Sequence, residues 1–188
     1  TQDSSGSDFM IDVMKSLDIP YVFANPAATF RGLQESVINH GGNANPEFIT
    51  CVHEEQSVAM AHGYFKVEGK PAAIMAHSVV GLQHASMAIY NAFVDRVPIY
   101  VMLGNIMDAR MRITSDQWYH SVQDPAVMVR DYIKWDDEPV SLQHFAESAV
   151  RAYQIAMTPP IGPVVLTVDA EMAERPISEA DQGHLSIP

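Results

Sequence analysis

Residues 48–81 read FITCVHEEQSVAMAHGYFKVEGKPAAIMAHSVVG, and the reading of that stretch decides the fold. It opens on a short apolar run, 48–52. An Ala- and Met-rich segment, 54–67, follows and stops near Gly69. A second run, 72–77, is apolar on consecutive residues until His77. Short, continuously apolar runs suit strands buried on both faces. The segment between them is long enough for a helix, so the spacing predicts strand, helix, strand. The pattern extends in both directions. Upstream, 8–17 places Phe9, Val13, Met14 and Leu17 at helical spacing with Ser7 as candidate N-cap. Run 21–24 comes next. Residues 29–38 then repeat the helical spacing through Phe30, Leu33, Val37 and Ile38 before Gly41-Gly42. Downstream lie a small-residue helix over 81–93, apolar runs 99–103, 132–135 and 163–168, and a helix over 141–157. In that last helix Phe145, Ala149, Ala152, Tyr153 and Ala156 share a stripe, and Pro159-Pro160 stop it. Such alternation predicts an α/β fold: a doubly wound, mainly parallel six-stranded sheet with helices on both faces.

Composition narrows the function classes. The 188 residues are 47% hydrophobic and 18% charged, which excludes disorder for most of the chain. Lys and Arg total 11 against 23 Asp and Glu, a net charge of −12. So acidic a chain lacks the cationic face that a phosphate backbone needs, and no nucleic-acid partner is expected. The longest apolar run, 97–103, is too short to cross a bilayer, so no membrane partner is expected. The single Cys51 excludes an internal disulfide framework and a cysteine-based zinc cluster, and points to a reducing, cytoplasmic setting. Residues 1–7 read as a disordered lead-in, 8–170 as the folded domain, and the polar tail 171–188 as a linker to a further domain. The eleven methionines read as core filler. Asp136-Asp137-Glu138 reads as a solvated loop.

In an open parallel sheet, ligands sit beyond the carboxyl ends of the strands. The residues following the runs are therefore the candidates: Asn25-Pro26, His53-Glu54-Glu55, His77-Ser78 and Gly104-Asn105. No Gly-x-Gly-x-x-Gly, phosphate-loop or Gly-x-Ser-x-Gly pattern occurs, so a self-sufficient nucleotide site is not expected. Glu54 and Glu55 at a helix start have a plain explanation as solvated acids facing the helix dipole. Their neighbours (Ile49, Cys51 and Val52 before, Val58 to Ala61 after) are apolar, however. A carboxyl held between burial and a helix N-terminus is pulled both ways and can exchange a proton near neutral pH. His77 is either a histidine bonded at the sheet rim or a proton carrier aimed into the crevice. His53, His62, His77 and His84 do not make a His-Glu-x-x-His array, so no metal ligand is expected within this chain.

Taken together these motifs resemble a known family. Tyr21-Val22-Phe23-Ala24-Asn25-Pro26 is similar to the first strand and turn of the pyrimidine-binding domain of thiamine-diphosphate-dependent enzymes. The run from His53 to Tyr64 is similar to that domain's signature helix, and Lys70-Pro71-Ala72 through His77-Ser78-Val79-Val80-Gly81 to its next strand and glycine turn. Ala85, Ala88, Asn91 and Ala92 continue its small-residue helix. The resemblance covers residues 8 to 169 and is nearest the acetolactate synthase and benzoylformate decarboxylase branch. It implies that Glu54, not Glu55, contacts N1′ of the cofactor's aminopyrimidine, favouring the imino tautomer that deprotonates C2 of the thiazolium. It implies that Asn25, Pro26 and Gly81 lie against the cofactor and that His77 relays protons to intermediates of a 2-keto acid. It also implies a partner: Mg²⁺ and the diphosphate are held mainly by a second domain with a Gly-Asp-Gly motif, which this chain lacks. The expected assembly is a homodimer or homotetramer, with helix–sheet packing an equal explanation for the small residues.

Three departures bear on substrate. The turn carries Ala27-Ala28 where the family has glycine and a polar residue, so aryl-glyoxylate chemistry does not transfer. Its Gly-x-Gly is reduced to Val80-Gly81, and His84 replaces a common asparagine. The expected function is the pyrimidine-binding half of a lyase or transferase that decarboxylates a 2-keto acid or ligates the resulting carbanion. Two alternatives stay open: a catalytically silent assembly domain of the same fold, and an unrelated hydrolase using Ser78.

Overall fold

The computed structural model describes residues 4–106, 120, 122–178 and 183–188. Helix α1 (Gly6–Ser16) leads into β1 (Tyr21–Ala24). A short 3₁₀ turn (Ala28–Phe30) and α2 (Arg31–Ile38) lead to β2 (Glu47–Thr50). Then come α3 (Glu54–Glu68), β3 (Ala72–His77), α4 (Ser78–Val94), β4 (Ile99–Asn105), edge strand β5 (Trp135–Asp137), α5 (Leu142–Met157), β6 (Val164–Asp169) and the short α6 (Ala170–Glu174). The six strands form one sheet in the order β2-β1-β3-β4-β6-β5, every pair parallel. The expected fold class is therefore correct.

Side-chain alternation along the strands builds two cores. Val22, Ala24, Ala73, Met75, Tyr100, Met102, Val164 and Leu166 point to one face, under α1, α2 and α5. Phe23, Ala72, Ile74, Ala76, Ile99, Val101 and Leu103 point to the other, under α3 and α4. Each large side chain buried this way contributes about 1.5–3 kcal/mol. The chain runs outward from β1 to β2, then returns to place β3 on the other side of β1. The sheet's switch point thus lies between β1 and β3, and in such sheets ligands sit beyond the carboxyl ends of the strands at that point.

Several expected boundaries move. The N-cap of α1 is Ser5, in a capping box with Asp8; Ser7 is instead buried and accepts a hydrogen bond from Ser36. Ser5 also bridges Pro176, Gly6 N donates to Arg175 O and Ile177 N to Ser4 O. Residues 4–7 and 171–177, expected as lead-in and linker, are thus tied to the folded body; residues 1–3 and 179–182 of those segments lie outside the described residues. The fifth strand, β5, starts at Trp135, later than the run 132–135 implied: Ile133 is buried in the core with residues of α4, and the strand that follows it is a polar edge strand. Asp136 and Asp137, expected in a solvated loop, sit in that strand, where Arg130 pairs with Asp136 and His144 with Asp137. The methionines divide: Met10, Met14, Met75 and Met102 fill the core, while Met60 and Met87 are exposed.

Candidate functional site

The switch point gathers residues from four elements. Asn25 follows β1, Glu54 is the first residue of α3, His77 ends β3 and Gly81 lies on the first turn of α4. The two acids at the start of α3 separate by environment. Glu55 is exposed at the helix N-terminus, while Glu54 is only 5% exposed. The amide Nδ2 of Asn25 donates to Glu54 Oε1 at 3.2 Å, and His84 Nδ1 lies 3.4 Å from Glu54 Oε2. A Cβ on Gly81 would stand 3.4 Å from both Cγ and Oε1 of Glu54 and 3.3 Å from the Ala76 carbonyl carbon. The bare glycine therefore spares the end of β3 a tight contact and leaves the space beside the carboxyl open. Pro26, beside Asn25, is exposed.

His77 is placed by a residue the sequence did not single out. Thr29, in the 3₁₀ turn before α2, is buried, and its Oγ1 lies 2.8 Å from His77 Nδ1. The same oxygen accepts the backbone N–H of Ser78 at 3.3 Å. Thr29 reaches this position because Gly104, at the end of β4, has no side chain: a Cβ there would lie 2.6 Å from Thr29 Oγ1. A threonine at an anticipated helix start reads as a capping residue, so no local signal marks this long-range role. Burial holds the His77 imidazole below its ordinary pKa, with His120 adding to the effect and Glu54 opposing it. The rings of His77 and His120 stand 5.2 Å apart.

Other combinations fare less well. Ser78 is buried with its Oγ unpartnered among the described residues, and His77 Nδ1 is committed to Thr29, so no serine–histidine pair forms. His53, Glu54 and His84 bring three potential metal-ligand atoms within 4.8 Å of one another. The two imidazoles, however, are stacked with planes 14° apart. A ligand lone pair lies in its ring plane, so near-parallel rings do not aim at one ion without turning. His53 Nδ1 also accepts the Glu55 N–H, as the helix N-cap. Two surface grooves, of about 580 and 780 Å³, lie away from Glu54, against α5 and α6 and between α1 and α2.

Comparison with known proteins adds a family to this geometry. Residues 4–124 match the model of the thiamine pyrophosphate enzyme, N-terminal TPP binding domain. The acetolactate synthase large subunit of Lactococcus lactis is 23% identical over 185 residues, 98% of this chain and 31% of that protein. The benzoylformate decarboxylase of Pseudomonas aeruginosa is 26% identical over 157 residues, 84% of this chain and 28% of that protein. The chain thus spans about a third of the length of the curated relatives it matches. Among solved structures, benzoylformate decarboxylase from Polynucleobacter necessarius superposes with a TM-score of 0.76 at 22% identity, over 93% of this chain and 32% of that one.

Proposed function

The chain belongs to the thiamine pyrophosphate enzyme family, carrying its N-terminal TPP binding domain, and from that premise we propose that Glu54 is the carboxyl that engages N1′ of the cofactor's aminopyrimidine in an enzyme acting on a 2-keto acid. The residues present fit an aminopyrimidine. A sheltered carboxyl, an amide donor on its Oε1 and a glycine that leaves space beside that oxygen together offer a proton-exchanging acid. When bound, thiamine diphosphate supplies a nucleophilic carbon and an electron sink for the substrate.

The remaining steps belong to this chain's side chains. Glu54 holds or accepts a proton at Oε1 or Oε2, where low exposure keeps water from competing for it. Asn25 fixes the carboxyl's rotation through Oε1. Gly81 lets the ring approach, and Pro26, exposed beside Asn25, is the next residue of the same turn available to it. His77, its Nδ1 committed to Thr29, offers Nε2 toward the substrate side. Mg²⁺ and the diphosphate are assigned to a second domain of the same or another subunit, since this chain carries no Gly-Asp-Gly.

The single observation that carries this reading is the burial of Glu54 beside Asn25 at the sheet's switch point. In the complete protein, Glu54→Gln keeps the size and the Asn25 contact but cannot exchange a proton. Calorimetric titration with thiamine diphosphate and Mg²⁺, together with turnover of pyruvate and aryl glyoxylates, tests it. Binding retained with turnover lost by about a hundredfold or more is expected; unchanged turnover would refute the assignment.

A second reading has its own observation. Met60, Val67, Met87, Tyr90 and Val94 on α3 and α4 are all exposed apolar residues. We assign that surface to contact with a second copy of the chain, and a silent assembly domain would need it equally. An assembly domain gives no heat with cofactor, so the same titration separates the two. No described helix is long and apolar enough to cross a membrane; a cytoplasmic site of action is proposed from the single cysteine alone.

A further inference from the structure

Thr29 has two hydrogen-bond partners and one hydroxyl proton. The backbone N–H of Ser78 can only donate, so Thr29 Oγ1 accepts it. The remaining contact, 2.8 Å to His77 Nδ1, then has two possible directions. If Nδ1 carried the proton and donated, the hydroxyl hydrogen of this buried threonine would be left unpaired, because Oγ1 has no third partner among the described residues. An unpaired buried donor is disfavoured. If the hydroxyl donates instead, every group is satisfied, and Nδ1 must be a bare acceptor. We propose that Thr29 is a positioning residue that fixes His77 as the neutral Nε2–H tautomer, so that the imidazole presents a hydrogen-bond donor, not a base, to a carboxylate or carbonyl oxygen of the substrate.

Three features converge on this arrangement. The Ser78 amide is the first of α4, so its position is set by the helix and by β3 before it. Thr29 is β-branched and buried, with little rotamer freedom. Gly104 packs against both its Oγ1 and its carbonyl, at 2.6 and 2.7 Å from where a Cβ would stand. Among the described residues, the titratable groups facing His77 are His120 alongside it and Glu54 from α3; partial burial and His120 disfavour the imidazolium, while Glu54 favours it. A donated hydroxyl adds to the first side, since only the neutral ring has a lone pair at Nδ1 to receive it. The role assigned to His77 in catalysis rests on the function proposed above; its tautomer does not.

The test reads the tautomer first and activity second. Nitrogen-15 histidine labelling of the complete protein, free of cofactor, distinguishes a protonated Nε2 with bare Nδ1 from the reverse; the His77 signals are assigned by loss in His77→Gln. The Nε2–H form is expected, and the Nδ1–H form overturns the proposal without any variant of Thr29 having to fold. Diethyl pyrocarbonate labelling of His77, followed by peptide mass spectrometry across pH, then compares wild type with Thr29→Val and Thr29→Ser. Valine should move the half-point of labelling up by roughly half to one pH unit, and serine should restore it. A valine profile that superimposes on the wild type overturns the proposal. Because both readouts use the free protein, they stand or fall separately from cofactor binding and from the Glu54→Gln result.

Discussion

Replacing Gly81 by alanine separates the stability of the fold from the competence of the site. The added methyl would meet the Ala76 carbonyl carbon at 3.3 Å and the Cγ and Oε1 of Glu54 at 3.4 Å. Carbon contacts are most favourable at about 3.5–4.0 Å, so a shift of a few tenths of an ångström relieves the crowding. The β3 backbone is fixed, so the methyl leans away from it and toward the Glu54 side chain, which can give. Against this small repulsion stands a gain of about 1 kcal/mol for alanine over glycine inside a helix. The two nearly cancel, so stability should change by less than about 1 kcal/mol, or roughly 2–4 °C in Tm for a unit of this size. The site is less tolerant. A displaced Glu54 loses a charge-assisted contact of about 1.5–3 kcal/mol, which corresponds to roughly 10- to 150-fold in turnover. Differential scanning calorimetry and steady-state kinetics on the complete protein measure the two quantities side by side. Full activity in Gly81→Ala would refute the claim that this glycine makes room for Glu54. A collapse in Tm would show instead that the methyl strikes backbone.

Further outcomes follow from other contacts. Gly104→Ala contrasts with Gly81→Ala, because its methyl strikes the Thr29 backbone as well as the side chain; a loss of about 1–3 kcal/mol is expected in urea denaturation. Asp8 feels burial pushing its pKa up, but hydrogen bonds from the Ser5 amide and from Ser36 and Ser5 outweigh it and hold the carboxyl below its ordinary value. Its contribution is present above the unfolded value of about 3.9 and lost as pH falls through the lower folded value, so Asp8→Asn should flatten the acid limb of a stability–pH curve. Lys134 Nζ donates to the Ile155 and Thr158 carbonyls at the end of α5. Lys134→Met should lower Tm by about 3–6 °C, from a loss near 1.5 kcal/mol, and an unchanged melting curve would count against that capping role.

What the sequence revealed, it revealed through periodicity. The runs at 21–24 and 72–77 coincide with β1 and β3 because both strands have a neighbour on either side and helices over both faces, so nearly every residue must be apolar. At the edge that constraint lapses, which is why β5 could be polar at Asp136 and Asp137 and the run before it misled. The start of α1 was misjudged because Ser5 and Ser7 are both acceptable caps, and the choice is made by Asp8 reaching back and by Ser36 from α2. Within the site, Glu54 and His77 were legible from their place after apolar runs. Thr29 was not, since its role depends on Gly104, 75 positions away in the chain and adjacent only after β4 takes its place beside β3. The sheltering of Glu54 relative to Glu55 likewise needed α4, which brings Gly81 and His84 over one acid and leaves the other to solvent.

The antiparallel bridge between Ser5 and Pro176 places the approach to α1 and the exit from α6 on neighbouring tracks, about 4.5–5.5 Å apart in such pairings. A unit whose first and last packed helices meet this way behaves as a cassette, suited to sit in a surface loop of a host protein without prising the host apart. The same coincidence gives neighbouring modules attached at either extremity a common anchorage, so that pulling on one strains the seam beside it and leaves the strand ends around Glu54 untouched.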